Sequence, residues 1–232
     1  MNSSQLAREL HLYLNAMRKI EPPANLPGEK LSPLDSHTEQ KNTDKKNKNK
    51  ESKLLKQLTE ELQTCDKCSL SENRTNVVAG QGSVNAKIMV VGEAPGAEED
   101  KQGIPFVGRS GRLLRGGFEK TNISEELVYI TNVVKCRPVD NRNPRVEELK
   151  TCRPYLDRQL ELIDPDVLLP LGNFGLRYFL GEDKNITSAR GRVYEWEGRK
   201  LVPTYHPAYI LRNRTLAQSF IDDLKLAADQ LK

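Results

Sequence analysis

Four cysteines in two arms constrain this chain more than any other feature. Cys65-Asp-Lys-Cys68 is a tight pair, and Cys136 and Cys152 each open the same tripeptide, Cys136-Arg137-Pro138 and Cys152-Arg153-Pro154. The chain has no other cysteine, so the set reads as one four-thiolate site with nothing left over. Arg8, Glu9 and His11 interrupt Leu6, Leu10, Leu12 and Leu14, so no signal peptide is expected and the expected compartment is the cytoplasm. In a reducing compartment such a set means metal or catalysis more often than disulfides. Zinc in a closed structural site and iron in a [4Fe–4S] cluster both suit four thiolates. Structural zinc usually pairs two short Cys-x-x-Cys knuckles, and the open second arm here favours iron–sulfur.

A chain of 232 residues fits one domain plus an appendage. Its mean hydropathy of −0.64 is low, but the deficit is local. Residues 21–50 hold almost no apolar clusters and run into Lys41-Asn-Thr-Asp-Lys-Lys-Asn-Lys-Asn-Lys50. Such a tract cannot bury enough surface to offset its ordering entropy and is expected to be a disordered linker. Before it, Leu6, Leu10, Leu14 and Met17 mark an amphipathic helix over residues 1–20, suited to docking on the core or to a protein partner. The expected domains are thus 1–20, 21–50 and a folded unit over 51–232.

Charge excludes a generically basic nucleic-acid binder. Residues 1–60 hold 11 basic and 8 acidic residues, which leaves 25 basic and 24 acidic residues for the rest. Polyanion contact must then come from local clusters: Arg109/Arg112/Arg115, Arg137/Arg142/Arg145, Arg190/Arg192 and Arg212/Arg214.

Past residue 50 the pattern alternates. A helix is expected from Glu51 to Thr64, then a buried strand at Lys87–Val91 and a helix at Gly111–Lys120. Strands at Leu127–Val133, Asp166–Leu171 and Arg199–Pro203 follow, separated by helices at Pro144–Ile163 and up to Leu180. An amphipathic helix over 215–231 closes the chain. Alternating strands and helices predict an α/β fold, a three-layer α/β/α sandwich on a central four-stranded parallel sheet.

Chemistry in such folds sits beyond the carboxyl ends of the strands. That rule selects Gly92–Gly96, Thr131–Asn132, Leu171–Asn173 and Tyr205–Tyr209. The first loop lacks the Gly-Lys-Ser/Thr of a phosphate loop, and its glycines would admit a flat ligand against Phe106. Asn132 offers a planar fork of acceptor and donors that matches the N3–H and O4 edge of uracil and mismatches cytosine. His206 could hydrogen-bond a carbonyl oxygen on which charge develops. Taken singly, Asn132 also reads as a turn cap, Phe106 as core and His206 as a satisfied polar residue; their placement at one sheet edge argues for a site.

From about Leu54 onward the chain resembles the type-4 uracil-DNA glycosylases, the iron–sulfur class found in bacteria and archaea. The resemblance rests on Cys65-x-x-Cys68, Gly92-Glu-Ala-Pro-Gly96, Pro105-Phe-Val-Gly108, Thr131-Asn-Val-Val-Lys-Cys-Arg-Pro138, Cys152-Arg-Pro154, Leu171-Gly172 and His206-Pro-Ala208. It implies that Cys65, Cys68, Cys136 and Cys152 ligate a structural [4Fe–4S] cluster. It also implies that Glu93 and Ala94 line the sugar and water side of the pocket, with Glu99 shaping it. Phe106 would stack on flipped uracil, Asn132 would read its edge, and His206 would stabilise the departing base at O2. Tyr209, Ile210, Leu211 and Arg212 would wedge into the duplex, and Gln81 and Gly82 would add backbone contacts to uracil or phosphate. The expected partner is uracil-containing DNA, double- or single-stranded, bound by a monomer away from membranes.

The most active uracil glycosylases carry an aspartate where this chain has Ala94, so a strongly dissociative route is expected, with Glu93 positioning water. A relative that traps uracil-DNA covalently uses a histidine in an inserted Lys-Arg-Arg-Ile-His loop. The matching region here, Lys135–Pro144, lacks both. Two alternatives stay open: a non-catalytic iron–sulfur DNA-binding module of a repair or replication complex, and a zinc-stapled α/β hydrolase.

Overall fold

The computed structural model describes residues 38–231. The expected N-terminal helix and the expected linker up to residue 37 lie outside the described residues. Helix α1 (Thr38–Gln63) starts ahead of the expected Glu51, within the segment read as linker. Lysine, glutamate and glutamine are good helix formers, and a polar helix carries no apolar period to read. Its C-terminal half buries Leu58 and Leu62.

Among the described residues, six strands form one sheet: β1 (Gln81–Gly82), β2 (Ile88–Gly92), β3 (Val128–Asn132), β4 (Val167–Pro170), β5 (Tyr194–Trp196) and β6 (Arg199–Leu201). Their order is β1-β3-β2-β4-β6-β5. The inner four, β3-β2-β4-β6, are parallel, as the sequence pattern predicts. The edge strands β1 and β5 pair antiparallel with β3 and β6, so the whole sheet is mixed. Strands β2, β3 and β4 are buried throughout; near-continuous apolar runs fit strands covered on both faces.

The helices are α2 (Ala97–Gln102), α3 (Arg109–Thr121), α4 (Val146–Ile163), α5 (Gly172–Leu180), α6 (Ile186–Ala189), α7 (Pro207–Arg212) and α8 (Ala217–Asp229). Alternation along β2 sends Ile88 and Val90 to one face, where Leu114 and Phe118 of α3 meet Phe220 and Leu224 of α8. Met89 and Val91 go to the other face, against Leu156 and Leu160 of α4 and Phe179 of α5. These are the two apolar interfaces of a three-layer sandwich. A third cluster joins Leu58 and Leu62 of α1 to Leu70, Val134, Cys136, Cys152 and Tyr155. No described helix is long and apolar enough to cross a membrane.

Candidate functional site

The carboxyl ends of β2 and β3 lie side by side, with Gly92 in register with Asn132. Gly92 must be glycine: a Cβ there would collide with Asn132 Oδ1 and come within 2.8 Å of the Phe106 ring. Asn132 is 1% exposed, and its Oδ1 is buried with no hydrogen-bond partner. An unpaired buried acceptor costs about 1–3 kcal/mol, so it marks a place where a donor is missing.

Phe106 sits at φ 54°, a left-handed conformation uncommon for a bulky residue. Its turn is held from two sides. Arg115 Nη1 donates to Phe106 O at 2.5 Å, and Gly108 N donates to Glu99 Oε1 at 2.9 Å. Gly111 lets α3 pack directly on the Phe106 carbonyl. Glu99 thus fixes the turn that carries Phe106.

His206 lies with its ring centroid 5.7 Å from that of Phe106, the planes tilted by 35°. It caps α7, with Nδ1 accepting from Ala208 N at 3.2 Å. An accepting Nδ1 leaves the proton of a neutral ring on Nε2. Burial, with Arg212 nearby, pulls the His206 pKa down to about 4, so at neutral pH the ring is an uncharged N–H donor. Gly172, at φ +74° after β4, gives His206 room: a Cβ there would lie 3.0 Å from His206 Cβ. The backbone bearing His206 is anchored through Thr204, whose Oγ1 donates to buried Asp223 at 2.7 Å. Asp223 also takes two bonds from Arg190, at 2.8 and 2.7 Å.

Glu93 follows Gly92 directly and is half-buried. Desolvation pushes its carboxyl up to about 7. Ala94 beside it is partly buried against the cysteine cluster.

Asn132 ends β3 beside Gly92, which Glu93 and Ala94 follow, Phe106 lies in the turn between α2 and α3, and His206 caps α7. Phe106 neighbours both Gly92, itself in register with Asn132, and His206. Two expected assignments fare differently. Ile210 is 2% exposed and packs in the core, so it cannot wedge into a duplex. One turn of helix turns it inward, while Tyr209 and Arg212 face solvent. Gln81 and Gly82 are exposed on edge strand β1, paired with Ile130 and Tyr129, so their backbone remains open to the contacts expected of it. The arginine clusters divide likewise. Arg115, Arg142 and Arg190 are engaged inside the protein, whereas Arg109, Arg112, Arg145, Arg192, Arg212 and Arg214 are exposed.

The four cysteines are free thiols and line one pocket with Arg74, Lys135 and Tyr155. Arg74 donates to Cys136 Sγ at 3.2 Å and to Cys65 O at 2.7 Å. Burial pushes the Cys152 thiol up to about 11. Glu148, in the first turn of α4, clamps both arms. It accepts from Ser69, just after Cys68, at 3.0 Å, and from Arg142 at 2.9 and 2.6 Å. The Arg142 guanidinium, with the Arg145 backbone N–H and the Ser69 hydroxyl, holds the Glu148 carboxyl down at about 2.

Sequence reasoning missed Lys135. It is fully buried, and its Nζ donates to Thr131 Oγ1 at 2.6 Å, Asn132 O at 2.7 Å and Gln159 Oε1 at 2.7 Å. A lysine beside Cys136 carries no sequence signal of burial. Glu148 was missed too: its carboxylate accepts from the Arg145 N–H at the start of α4 at 2.7 Å, but arginine is not an N-cap acceptor, so no capping-box pattern marks it in the sequence.

Residues 79–226 match the model of the uracil DNA glycosylase superfamily. The chain is 45% identical to a type-4 uracil-DNA glycosylase of Thermotoga maritima over 183 residues, covering 77% of this chain and 95% of that protein. It is 43% identical to one of Sulfurisphaera tokodaii, covering 74% and 82%, and 42% identical to one of Archaeoglobus fulgidus, covering 74% and 90%. With the Asn132–Phe106–His206 cluster at one sheet edge and four cysteines around one pocket, these similarities settle descent: the chain belongs to the type-4 uracil-DNA glycosylases of the uracil DNA glycosylase superfamily.

Proposed function

We propose that the chain is a monofunctional uracil-DNA glycosylase. It takes uracil out of DNA, hydrolyses the N-glycosidic bond and leaves an abasic site that opens base excision repair. The observation that carries this reading is the orphaned Asn132 Oδ1 beside Gly92 and the Phe106 ring. Uracil N3–H is the donor such an acceptor lacks, and cytosine N3 has no proton to give.

The target base cannot be reached inside a duplex, so it must leave the stack, at a cost of a few kcal/mol. Phe106 then offers its face, and Asn132 reads the Watson–Crick edge. As the bond to N1 breaks, the electron pair goes to uracil and positive charge grows on the sugar. His206, neutral with its proton on Nε2, donates to O2, and such a donor contributes about 3–4 kcal/mol to the transition state. Glu93, with its pKa near 7, orients the water that adds to the sugar carbon and takes its proton. With Ala94 in the neighbouring position no second carboxylate supports that step, which favours a dissociative route. Tyr209, Leu211 and Arg212 fit the duplex side, together with exposed Arg109 and Arg112.

In this reading Cys65, Cys68, Cys136 and Cys152 hold a [4Fe–4S] cluster. Four free thiols around one pocket supply the donor set. The Arg74 bond to Cys136 Sγ is of the kind that tunes cluster sulfurs. When bound, the cluster supplies iron–thiolate bonds that tie the end of α1 to the loop after β3 and to α4.

Asn132→Ala tests the reading on a labelled single-uracil duplex. Single-turnover excision should fall by about 100-fold or more, while the dissociation constant for the duplex changes little. Equal losses in both would refute base reading by Asn132. Tight binding by the wild-type protein with no alkali-sensitive product would instead support the non-catalytic module.

A further inference from the structure

Lysine is almost never fully buried without partners, and Lys135 is fully buried with its three ammonium protons matched by three acceptors. Those acceptors belong to two elements. Thr131 and Asn132 are the last two residues of β3, and Gln159 lies on α4, the helix that bears Cys152. The network is closed around them. Gln159 Nε2 donates to Ala79 O at 2.8 Å and to Tyr129 Oη at 3.2 Å, and Thr131 Oγ1 donates to Ala79 O at 3.0 Å. The Lys135 carbonyl accepts from Val78 N at 2.8 Å, and the residue also lines the four-cysteine pocket.

We propose that Lys135 is the positioning residue for Asn132, its ammonium fixing the Asn132 main chain so that the side-chain fork stands at the Gly92–Phe106 gap. The proposal rests on the base-reading role of Asn132. Asn132 terminates its strand, so the carbonyl held by Lys135 is an end group whose orientation the sheet alone does not set. The Lys135 main chain joins the cysteine loop while its side chain reaches the base-reading residue. Whatever orders the four cysteines therefore also orders Asn132. Methionine would fill the same space and supply none of the three donors, so packing and positioning can be separated.

The experiment is a double-mutant cycle on the iron-loaded, full-length protein, using Lys135→Met, Asn132→Ala and the double variant. Single-turnover excision of uracil from a duplex is followed, together with duplex affinity, iron content and near-visible absorption. Lys135→Met should slow excision by about 10- to 100-fold, the penalty of a small misplacement. Duplex affinity, iron content and absorption should stay at wild-type levels. In the Asn132→Ala background Lys135→Met should add no further loss, because it acts only through that residue. Independent losses that multiply would overturn the proposal, as would a parallel loss of affinity or of iron. If Lys135→Met does not accumulate as folded protein, Thr131→Val, which removes one of the three acceptors, decides by the same pattern. Wild-type excision by Asn132→Ala would sink the base-reading proposal itself. A slow Asn132→Ala beside an unimpaired Lys135→Met would sink only the role of Lys135.

Discussion

At the scale of single residues, burial sets the states of the groups at the candidate site. Asn132 keeps an unpaired acceptor, His206 is kept uncharged, and Glu93 is kept partly protonated near neutrality. Glu93 makes a stability prediction with a definite sign. In the unfolded chain its carboxyl ionises near 4.5, and in the folded protein near 7. Between these values the folded state binds more protons, so the stabilisation present below pH about 4.5 is lost as pH rises through about 7. Glu93→Gln should therefore match the wild type in thermal stability at pH 4.5. It should exceed it at pH 8 by up to about 3 kcal/mol, the worth of the shift. Its excision rate should fall in the same preparation. Equal stabilities at pH 8 would mean that Glu93 is solvated and poorly placed to hold one water.

At the scale of elements, the two cysteine arms are brought together by Glu148 as well as by their own chemistry. The carboxylate bonds Ser69 on one arm and Arg142 and the α4 N-terminus on the other. Its pKa is depressed to about 2, so its contribution is complete above pH about 4.5 and lost as pH falls toward 2. Glu148→Gln should lower stability at pH 7 by about 3 kcal/mol, and the thermal stabilities of variant and wild type should converge progressively as pH falls from about 4.5 toward 2. A constant gap across that range would assign the loss to packing instead.

The inner parallel strands were legible because Ile88–Val91 and Val167–Leu169 are unbroken apolar runs that a strand buried on both faces requires. Asn132 followed from where the expected strand Leu127–Val133 stops, His206 from the segment after Arg199–Pro203, and Phe106 from the loop after Ile88–Val91. Strand β1 was not legible, being two exposed residues. Strands β5 and β6 form a hairpin whose Glu197-Gly198 turn, at φ 48° and 80°, is a two-residue signal flanked by Tyr194-Glu-Trp and Arg199-Lys-Leu. A strand at Arg199–Pro203 is already expected from the sequence; read as a hairpin, the turn would have given β5 as well. Lys135 and Ile210 were illegible for one reason: burial of a single side chain beside a turn depends on tertiary packing, not on local pattern.

At the scale of the whole molecule, the matched region begins well inside the chain. The superfamily match starts at residue 79, and the relatives cover about three quarters of this sequence. The cysteine arm needs more than that match, because Leu58 and Leu62 of α1 are buried against the cluster that contains Cys136 and Cys152. Asn49 and Lys50, by contrast, are exposed, and Glu51 and Leu55 are half-buried. We propose 51–232 as the catalytic unit, with residues 1–50 appended to it. A chain starting at Glu51 should keep full iron content and excise uracil within about twofold of the full-length rate, the scatter expected for changes remote from the site. A chain starting at Cys65 keeps every cysteine but loses Leu58 and Leu62. Removing two buried leucines from a small cluster costs several kcal/mol, so that chain should lose iron during purification, and excision with it. Iron retained by the shorter chain would mean that the thiols alone hold the arms together. Excision lost on removing residues 1–50 would give that segment a part in catalysis that the geometry of the site does not call for.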